Sequence, residues 1–289
     1  MTAETAKLLY SVFKIRIGLA IMMCALAGIA VTPGPALTAW QITVVGVAVL
    51  LASMSAGAFN QYIERDLDAL MKRTRTRPFV TGRLRVSNYW LLGIALLLSL
   101  AMVSAALAVN PTSALYVFLG AFAYAVVYTV WLKRRSWLNI VLGGLAGSFA
   151  VLAGAAAVDP ALAPAPVILA TVLFLWTPPH FWSLAFVFRQ DYAAAGVPML
   201  PVIVGPSIAA WVILLHTVAL VMLSLLPVRY GLGWIYLLGA TIGGAYFIWT
   251  SVQLVRRPGP RAAKVNFRGS LVQLSILLLA AIIDPWLLG

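Results

Sequence analysis

An all-α integral membrane protein with nine transmembrane helices is the fold class this sequence predicts, and three observations predict it. Hydrophobic residues make up 63% of the chain against 9% charged, with a mean hydropathy of +1.00, a balance that excludes the common soluble domain types. The apolar residues fall in nine runs of roughly 17–25, each long enough to cross the hydrocarbon core as a helix. Finally, the basic residues cluster in every second connection between those runs, as cytoplasmic loops do. No long soluble insertion interrupts the series, so the chain reads as one polytopic domain over residues 1–289.

The runs can be justified in order. The first, 15–31, follows Lys7, Lys14 and Arg16 and shares its basic start and small residues with secretory signal peptides. A polytopic chain needs no cleavage, and the segment lengthens if its helix starts near Tyr10, so we read it as a retained span. It contains the single cysteine, Cys24, which allows no disulfide within one chain and reads as packing. The second run, 39–59, leads directly into the most charged stretch of the protein. Runs 89–109 and 113–132 are separated only by Asn110–Thr112. Run 138–158 opens on NIVLGGLAG, whose Gly143, Gly144 and Gly147 suit close helix contact; no strand precedes them, which disfavours a nucleotide loop. Run 167–188 contains Pro178 and Pro179, which are expected to break the helix ladder and push irregular backbone into a cavity. Runs 208–226, with the structural candidate His216, 232–255 and 270–288 complete the set.

Charge placement then orients the bundle. With the N-terminus inside, nineteen of the 20 Lys and Arg lie on inner segments and only Arg229 lies outside. The net charge of +13 is therefore a consequence of topology, and it points to anionic membrane lipid and phosphate-bearing substrates as partners, with no nucleic acid. The outer connections are short and rich in Pro or Gly, as turns are. The inner ones are longer and polar, so chemistry belongs on the inner, cytoplasmic face, in loops of about 60–88 and 189–206.

The first inner loop reads NQYIERDLDALMKRTRTRPFVTGRLR from Asn60 to Arg85 and holds three of the seven acidic residues. If the second helix runs on to about Ala69, Asn60, Glu64 and Asp68 line one face, since each step of four rotates only about 40°. Asp66 points elsewhere. Oxygen ligands so spaced suit Mg2+, which takes one or two carboxylates together with substrate phosphates, and the arginines beyond can hold those phosphates. The competing reading is a membrane boundary, with snorkelling cations paired to carboxylates.

The second inner loop, RQDYAAAGVPMLPVIVGP, carries Asp191, either a helix-end carboxylate paired with Arg189 or the ligand of a second Mg2+ opposite the first face. Lys133 and Arg134 end the fourth run behind Tyr124, Tyr128 and Trp131, spaced by four and three; these rings read as packing or, facing a cavity, as stabilisers of a cation. In the sixth run Trp176, Phe181 and Trp182 flank His180, which reads as an acceptor-pocket contact or as a structural histidine bonded to a carbonyl freed by the prolines.

The Asn60–Arg83 segment resembles the first aspartate-rich motif of the UbiA-type intramembrane prenyltransferases. YTVWLKRRSWLNIVLGGLAG, TPPHFWSLAF and DYAAAGVPMLPV are similar to the branch of that family that farnesylates haem. The resemblance implies a nine-helix UbiA-type bundle that transfers farnesyl from farnesyl diphosphate to a vinyl group of haem b. It also implies Mg2+ on Asn60, Glu64, Asp68 and Asp191, and diphosphate on Arg73, Arg77, Lys133 and Arg134. His180, Trp176 and Tyr128 would form the haem side, a haem-modifying or terminal oxidase assembly protein would act downstream, and the setting would be a bacterial inner membrane. Glu64 stands where many relatives outside that branch have Asp, and Asp191 lacks a second acidic residue in the four positions before it. A quinone-precursor acceptor, or a transporter or lipid-binding channel, are the readings these residues compete with.

Overall fold

The computed structural model describes residues 3–288, and the described residues form helices and connections without a strand. Water is absent from the hydrocarbon core, so each spanning segment must satisfy its own backbone groups, which a helix does. A short helix, α1 (Ala3–Val12), is set at 49° to α2 (Ile15–Ala30), with Lys14 in the left-handed region between them. Next come α3 (Ala39–Ile63), the six-residue α4 (Arg65–Leu70) and α5 (Asn88–Ala108). Helix α6 (Pro111–Phe122) continues as a π-helical segment, Ala123–Leu132. Then follow α7 (Asn139–Gly143), α8 (Leu145–Val158), α9 (Pro164–Val187), α10 (Arg189–Ala194) and α11 (Leu200–Ile203). The chain finishes with α12 (Gly205–Ser224), α13 (Trp234–Arg256) and α14 (Pro260–Leu288). Eight helices, counting α6 with its π extension and α7 with α8, are long and apolar enough to span, and the bent pair α1–α2 makes the ninth.

Consecutive spans are neighbours, and α14 packs back on α2, which closes the bundle; α2 against α8 and α14 against α9 brace it inside. Helix starts follow ordinary capping chemistry. Thr38 and Gln41 form a capping box at α3, and Asn110 caps α6 with Pro111 in the first turn. A buried carboxylate does the same job across the fold: Asp284 of α14 accepts from Gly233 N at 2.5 Å and Tyr236 N at 3.0 Å, satisfying the first amides of α13. Cys24 is buried and bonds only the Ala20 carbonyl, as packing requires.

Small residues set the closest contact. A Cβ on Gly154 of α8 would lie 1.9 Å from the Ala25 carbonyl oxygen of α2, and one on Gly28 would lie 2.1 Å from the Val151 carbonyl. Backbone faces backbone here, so no side chain can swing aside. Gly154→Ala is therefore expected to destabilise the fold by about 3 kcal/mol through overpacking, read as a lowered unfolding transition in detergent, whereas Gly93→Ala, with nothing near its Cβ, leaves it in place.

Two expectations need correction. The Pro178–Pro179 pair does not break its span: α9 runs unbroken from Pro164 to Val187. The helix survives because neighbours leave room for the disturbed turn, with Gly144 placing no side chain against the Phe174 carbonyl, the acceptor that Pro178 cannot serve. Nor is α3 continuous to Ala69. It ends at Ile63, and Glu64 (φ −90°, ψ 10°) turns the chain into α4. The same device recurs in α9, which passes through Phe188 (φ −106°, ψ 30°) into α10, so these two charged loops each begin with a six-residue helix.

Candidate active site

The bend at Glu64 keeps the one-face arrangement that the spacing predicts. Glu64 N still bonds Asn60 O at 3.0 Å, and Asp68 N bonds Glu64 O at 2.8 Å, so the turn-by-turn ladder carries through. Asn60, Glu64 and Asp68 are all buried, at 2%, 0% and 1% exposure. Asp66, on the other face, pairs with Arg134 through two bonds of 2.7 and 2.8 Å. That exposed guanidinium fork holds the Asp66 carboxyl down at about 2.

Burial of two carboxylates demands partners, and they come from distant parts of the chain. Arg77 Nη1 bonds Asp68 Oδ2 at 2.6 Å. Lys133 Nζ pairs with Glu64 Oε2, which also accepts from Asn60 Nδ2 at 2.8 Å. Burial pushes the Lys133 ammonium below the ordinary lysine value, with Glu64 pulling the other way. Lys14 Nζ reaches Asn60 Oδ1 at 2.6 Å and Tyr124 OH at 3.0 Å, its stem lying along Gly57. The cluster thus holds one more cation than carboxylate. Even so, Glu64 Oε1 is sealed from solvent without any hydrogen bond, and Asp68 Oδ1 has no protein partner among the described residues. Unpartnered carboxylate oxygens on an oxygen-only face fit a hard divalent cation.

The π-helical segment supplies the opposite wall. Its wider winding brings residues five apart onto one line, as in Thr129 Oγ1 to Tyr124 O at 2.8 Å and Lys133 N to Tyr128 O at 2.9 Å. Thr129 thereby accepts from Asn60 Nδ2 at 3.0 Å, and Tyr124 and Tyr128 stack with centroids 5.4 Å apart, Lys133 Nζ lying 5.6 Å from the Tyr128 ring. Trp131, expected on the same face, is turned outward and exposed. One turn deeper, an apolar recess of about 300 Å3 lies between α3, α5 and α6, lined by Ala56, Phe59, Leu98, Ala121 and Ala125. Ala56 and Asn60 are one turn apart on α3, so the recess lies one helical turn from the polar cluster.

The two charged loops meet at Arg73. Its Nη2 donates to Tyr192 OH at 3.3 Å, and its guanidinium lies over the Phe188 ring. Burial raises the Tyr192 phenol above its ordinary value, opposed by Arg73. Asp191 sits beside Tyr192 in a recess with Pro206 and Pro258, where its carboxylate makes no hydrogen bond or ion pair among the described residues. Among the described residues no three His, Cys, Asp or Glu stand close enough to form a metal cluster, so Asp191 is not gathered with Glu64 and Asp68. Arg134 is likewise drawn to Asp66 at the surface.

Of the expected acceptor residues, Tyr128 belongs to the lysine wall and Trp176 to His180. The His180 ring stacks between Trp176 and Phe267 at 4.2 and 4.5 Å. Its Nδ1 meets Ser270 Oγ at 2.7 Å and not one of the carbonyls freed by the prolines, those of Phe174 and Leu175. His216 bonds the Val212 carbonyl at 3.0 Å, the structural role expected of it.

Sequence reasoning missed Lys14, Thr129, Tyr192 and Ser270. Lys14 counted only as a boundary charge, although a lysine between two apolar helical runs is itself a signal. Tyr192 was legible as the neighbour of Asp191; Thr129 and Ser270 carried no signal, being single hydroxyls in apolar runs.

Residues 21–277 match the model of the UbiA prenyltransferase family. The chain is 54% identical over 289 residues to protoheme IX farnesyltransferase 2 of Paramagnetospirillum magneticum, covering 100% of both chains. It is 46% identical over 275 residues to protoheme IX farnesyltransferase 1 of the same organism, covering 94% of this chain and 95% of that one. Among solved structures, a digeranylgeranylglyceryl phosphate synthase superposes with a TM-score of 0.80 at 20% identity, covering 99% of this chain and 100% of that one. A UbiA homolog from Archaeoglobus fulgidus, bound to DMAPP and Mg2+, gives 0.70 at 16% identity, covering 95% and 99%. These structural likenesses establish the fold.

Proposed function

The chain belongs to the UbiA prenyltransferase family, and from that premise we propose that it transfers the farnesyl group of farnesyl diphosphate to a vinyl group of haem b, giving haem O. The observation that carries this reading is the buried face of Asn60, Glu64 and Asp68, with the sealed, unpartnered Glu64 Oε1, ringed by Lys14, Arg77 and Lys133. The acceptor follows relatives that match the chain from end to end and carry that name.

Glu64 and Asp68, with the Asn60 side-chain carbonyl, would hold Mg2+, and Asp191, without a partner among the described residues, is the proposed ligand for a second ion. Bound there, Mg2+ supplies Lewis-acid neutralisation of the departing diphosphate. Arg77 and Arg73 bind the diphosphate oxygens from one side and Lys133 and Lys14 from the other; Arg134 stands outside this ring, on Asp66. Cleavage of the C1–O bond leaves an allylic cation whose charge the stacked Tyr124 and Tyr128 rings stabilise. The apolar recess below Asn60 takes the farnesyl chain and excludes water. The terminal vinyl carbon of haem b then attacks, the positive charge passes to the vinyl carbon next to the pyrrole ring, and one water adds there and loses a proton to give the hydroxyl of haem O; His180 and Trp176 hold the acceptor. The site faces the cytoplasm of a bacterial inner membrane, where a haem-modifying or oxidase assembly protein takes the product.

The test is purified protein in nanodiscs with farnesyl diphosphate, Mg2+ and haem b, read by mass for haem O and repeated with EDTA. Prenylation of a quinone precursor with haem b untouched would reassign the acceptor. Within the same assay, Arg77→Lys is expected to raise the farnesyl diphosphate requirement about tenfold, since a point charge does not replace a bidentate fork. Arg85→Lys, on an exposed side chain, changes it little. Equal effects at both positions would return Arg77 to the role of a surface charge.

A further inference from the structure

The hydrogen bonds around His180 settle which ring nitrogen carries the proton. Ser270 Oγ lies 2.7 Å from the Phe267 carbonyl oxygen. Two oxygens that close need a hydrogen between them, and a carbonyl has none, so the Ser270 hydroxyl is the donor. Its single proton is then spent. The 2.7 Å contact between Ser270 Oγ and His180 Nδ1 consequently has the ring as donor. His180 is thus the Nδ1–H tautomer, with its lone pair on Nε2. That nitrogen has no hydrogen-bond partner among the described residues and is not among the sealed polar atoms, so it is left accessible to a ligand.

Resting on the haem reading above, we propose that His180 meets the haem iron through Nε2 and that Ser270 is the positioning residue that holds the imidazole in the tautomer and orientation this needs. A metal-bound histidine characteristically donates its other ring N–H to a fixed acceptor, which is the arrangement Ser270 provides. Stacking does not obstruct it, because coordination lies in the ring plane while Trp176 and Phe267 cover the two faces. The Ser270 carbonyl also accepts from Trp176 Nε1 at 3.0 Å, so one residue of α14 anchors two rings of α9. A propionate contact is disfavoured by the same tautomer: Nε2 has no proton to donate to a carboxylate. Iron ligation would fix the macrocycle, and with it the vinyl group, relative to the farnesyl cation.

The experiment uses full-length protein in nanodiscs titrated with haem b, followed in the Soret region, with farnesyl diphosphate binding as the control for an intact fold. His180→Ala is expected to shift the Soret band, and added imidazole to restore it. Ser270→Ala is expected to weaken haem binding about tenfold, while Ser270→Thr, which keeps the hydroxyl, retains it. Should Ser270→Ala also lose farnesyl diphosphate, the decision passes to His180→Ala with imidazole. An unchanged Soret band in His180→Ala, with haem bound and alkylated, overturns the ligation and leaves the haem reading standing. Parent protein that binds farnesyl diphosphate but neither binds nor alkylates haem b overturns both.

Discussion

Asp68→Asn is expected to lower haem O formation by about 10^2–10^3-fold, the scale of losing an electrostatic stabiliser aimed at the developing charge. The substitution removes one negative charge and almost no volume. Arg77 can still donate to the amide oxygen, so the loop from Met71 to Gly82 keeps its anchor and the protein stays inserted and folded. What disappears is the second carboxylate on the Asn60 face, and with it the means of pairing a divalent cation with the departing diphosphate. The measurement is single-turnover product formation at saturating Mg2+, beside the unfolding transition of the same preparation. A near-parental rate would make Asp68 an anchor for Arg77 and nothing more.

Lys133→Met is expected to cost about 3–5 kcal/mol of stability, because it leaves the Glu64 charge buried without its ion partner. Both side chains are nearly sealed, at 9% and 1% exposure, so little solvent screening softens the loss. Desolvation predicts a specific pattern of recovery. Adding Glu64→Gln to Lys133→Met removes the stranded charge and is expected to restore most of the stability, since replacing both partners of a buried pair approaches neutrality. Activity is not expected to return, because the proposed metal face and the proposed anion site are then both incomplete. Unfolding in detergent gives the first quantity and product formation the second. Additive losses in the double variant would mean that Lys133 and Glu64 act independently, contrary to the geometry.

Much of this was legible without coordinates. Hydropathy located the spans within a few residues, and a spacing of four put Asn60, Glu64 and Asp68 on one face; the bend at Glu64 was not foreseen, yet the ladder runs through it. The prolines misled because sequence shows a missing N–H but not the neighbours around it, and Gly144 makes the room that keeps α9 whole. The aromatic run was half right. An α-helical period groups Tyr124, Tyr128 and Trp131, whereas the π winding turns Trp131 to the outside and lines up Tyr124 with Thr129 and Tyr128 with Lys133.

By itself the sequence determined that the chain spans a membrane as helices, that its basic residues gather in alternate connections, and that a carboxylate face is followed at once by arginines. These are properties of adjacent residues, governed by water-to-lipid transfer and by the helix period, so a linear reading reaches them. Tertiary structure alone decided which groups neutralise that face. Lys14, Arg77 and Lys133 stand 46, 9 and 69 residues from the side chains they bond, and Arg134 is drawn to Asp66 although it follows Lys133 directly. It also decided the His180 tautomer, through a serine 90 residues away. Burial is the physical reason: a polar group taken out of water must find its partner among whatever the packing brings within 3 Å, and that choice is made by the closed bundle.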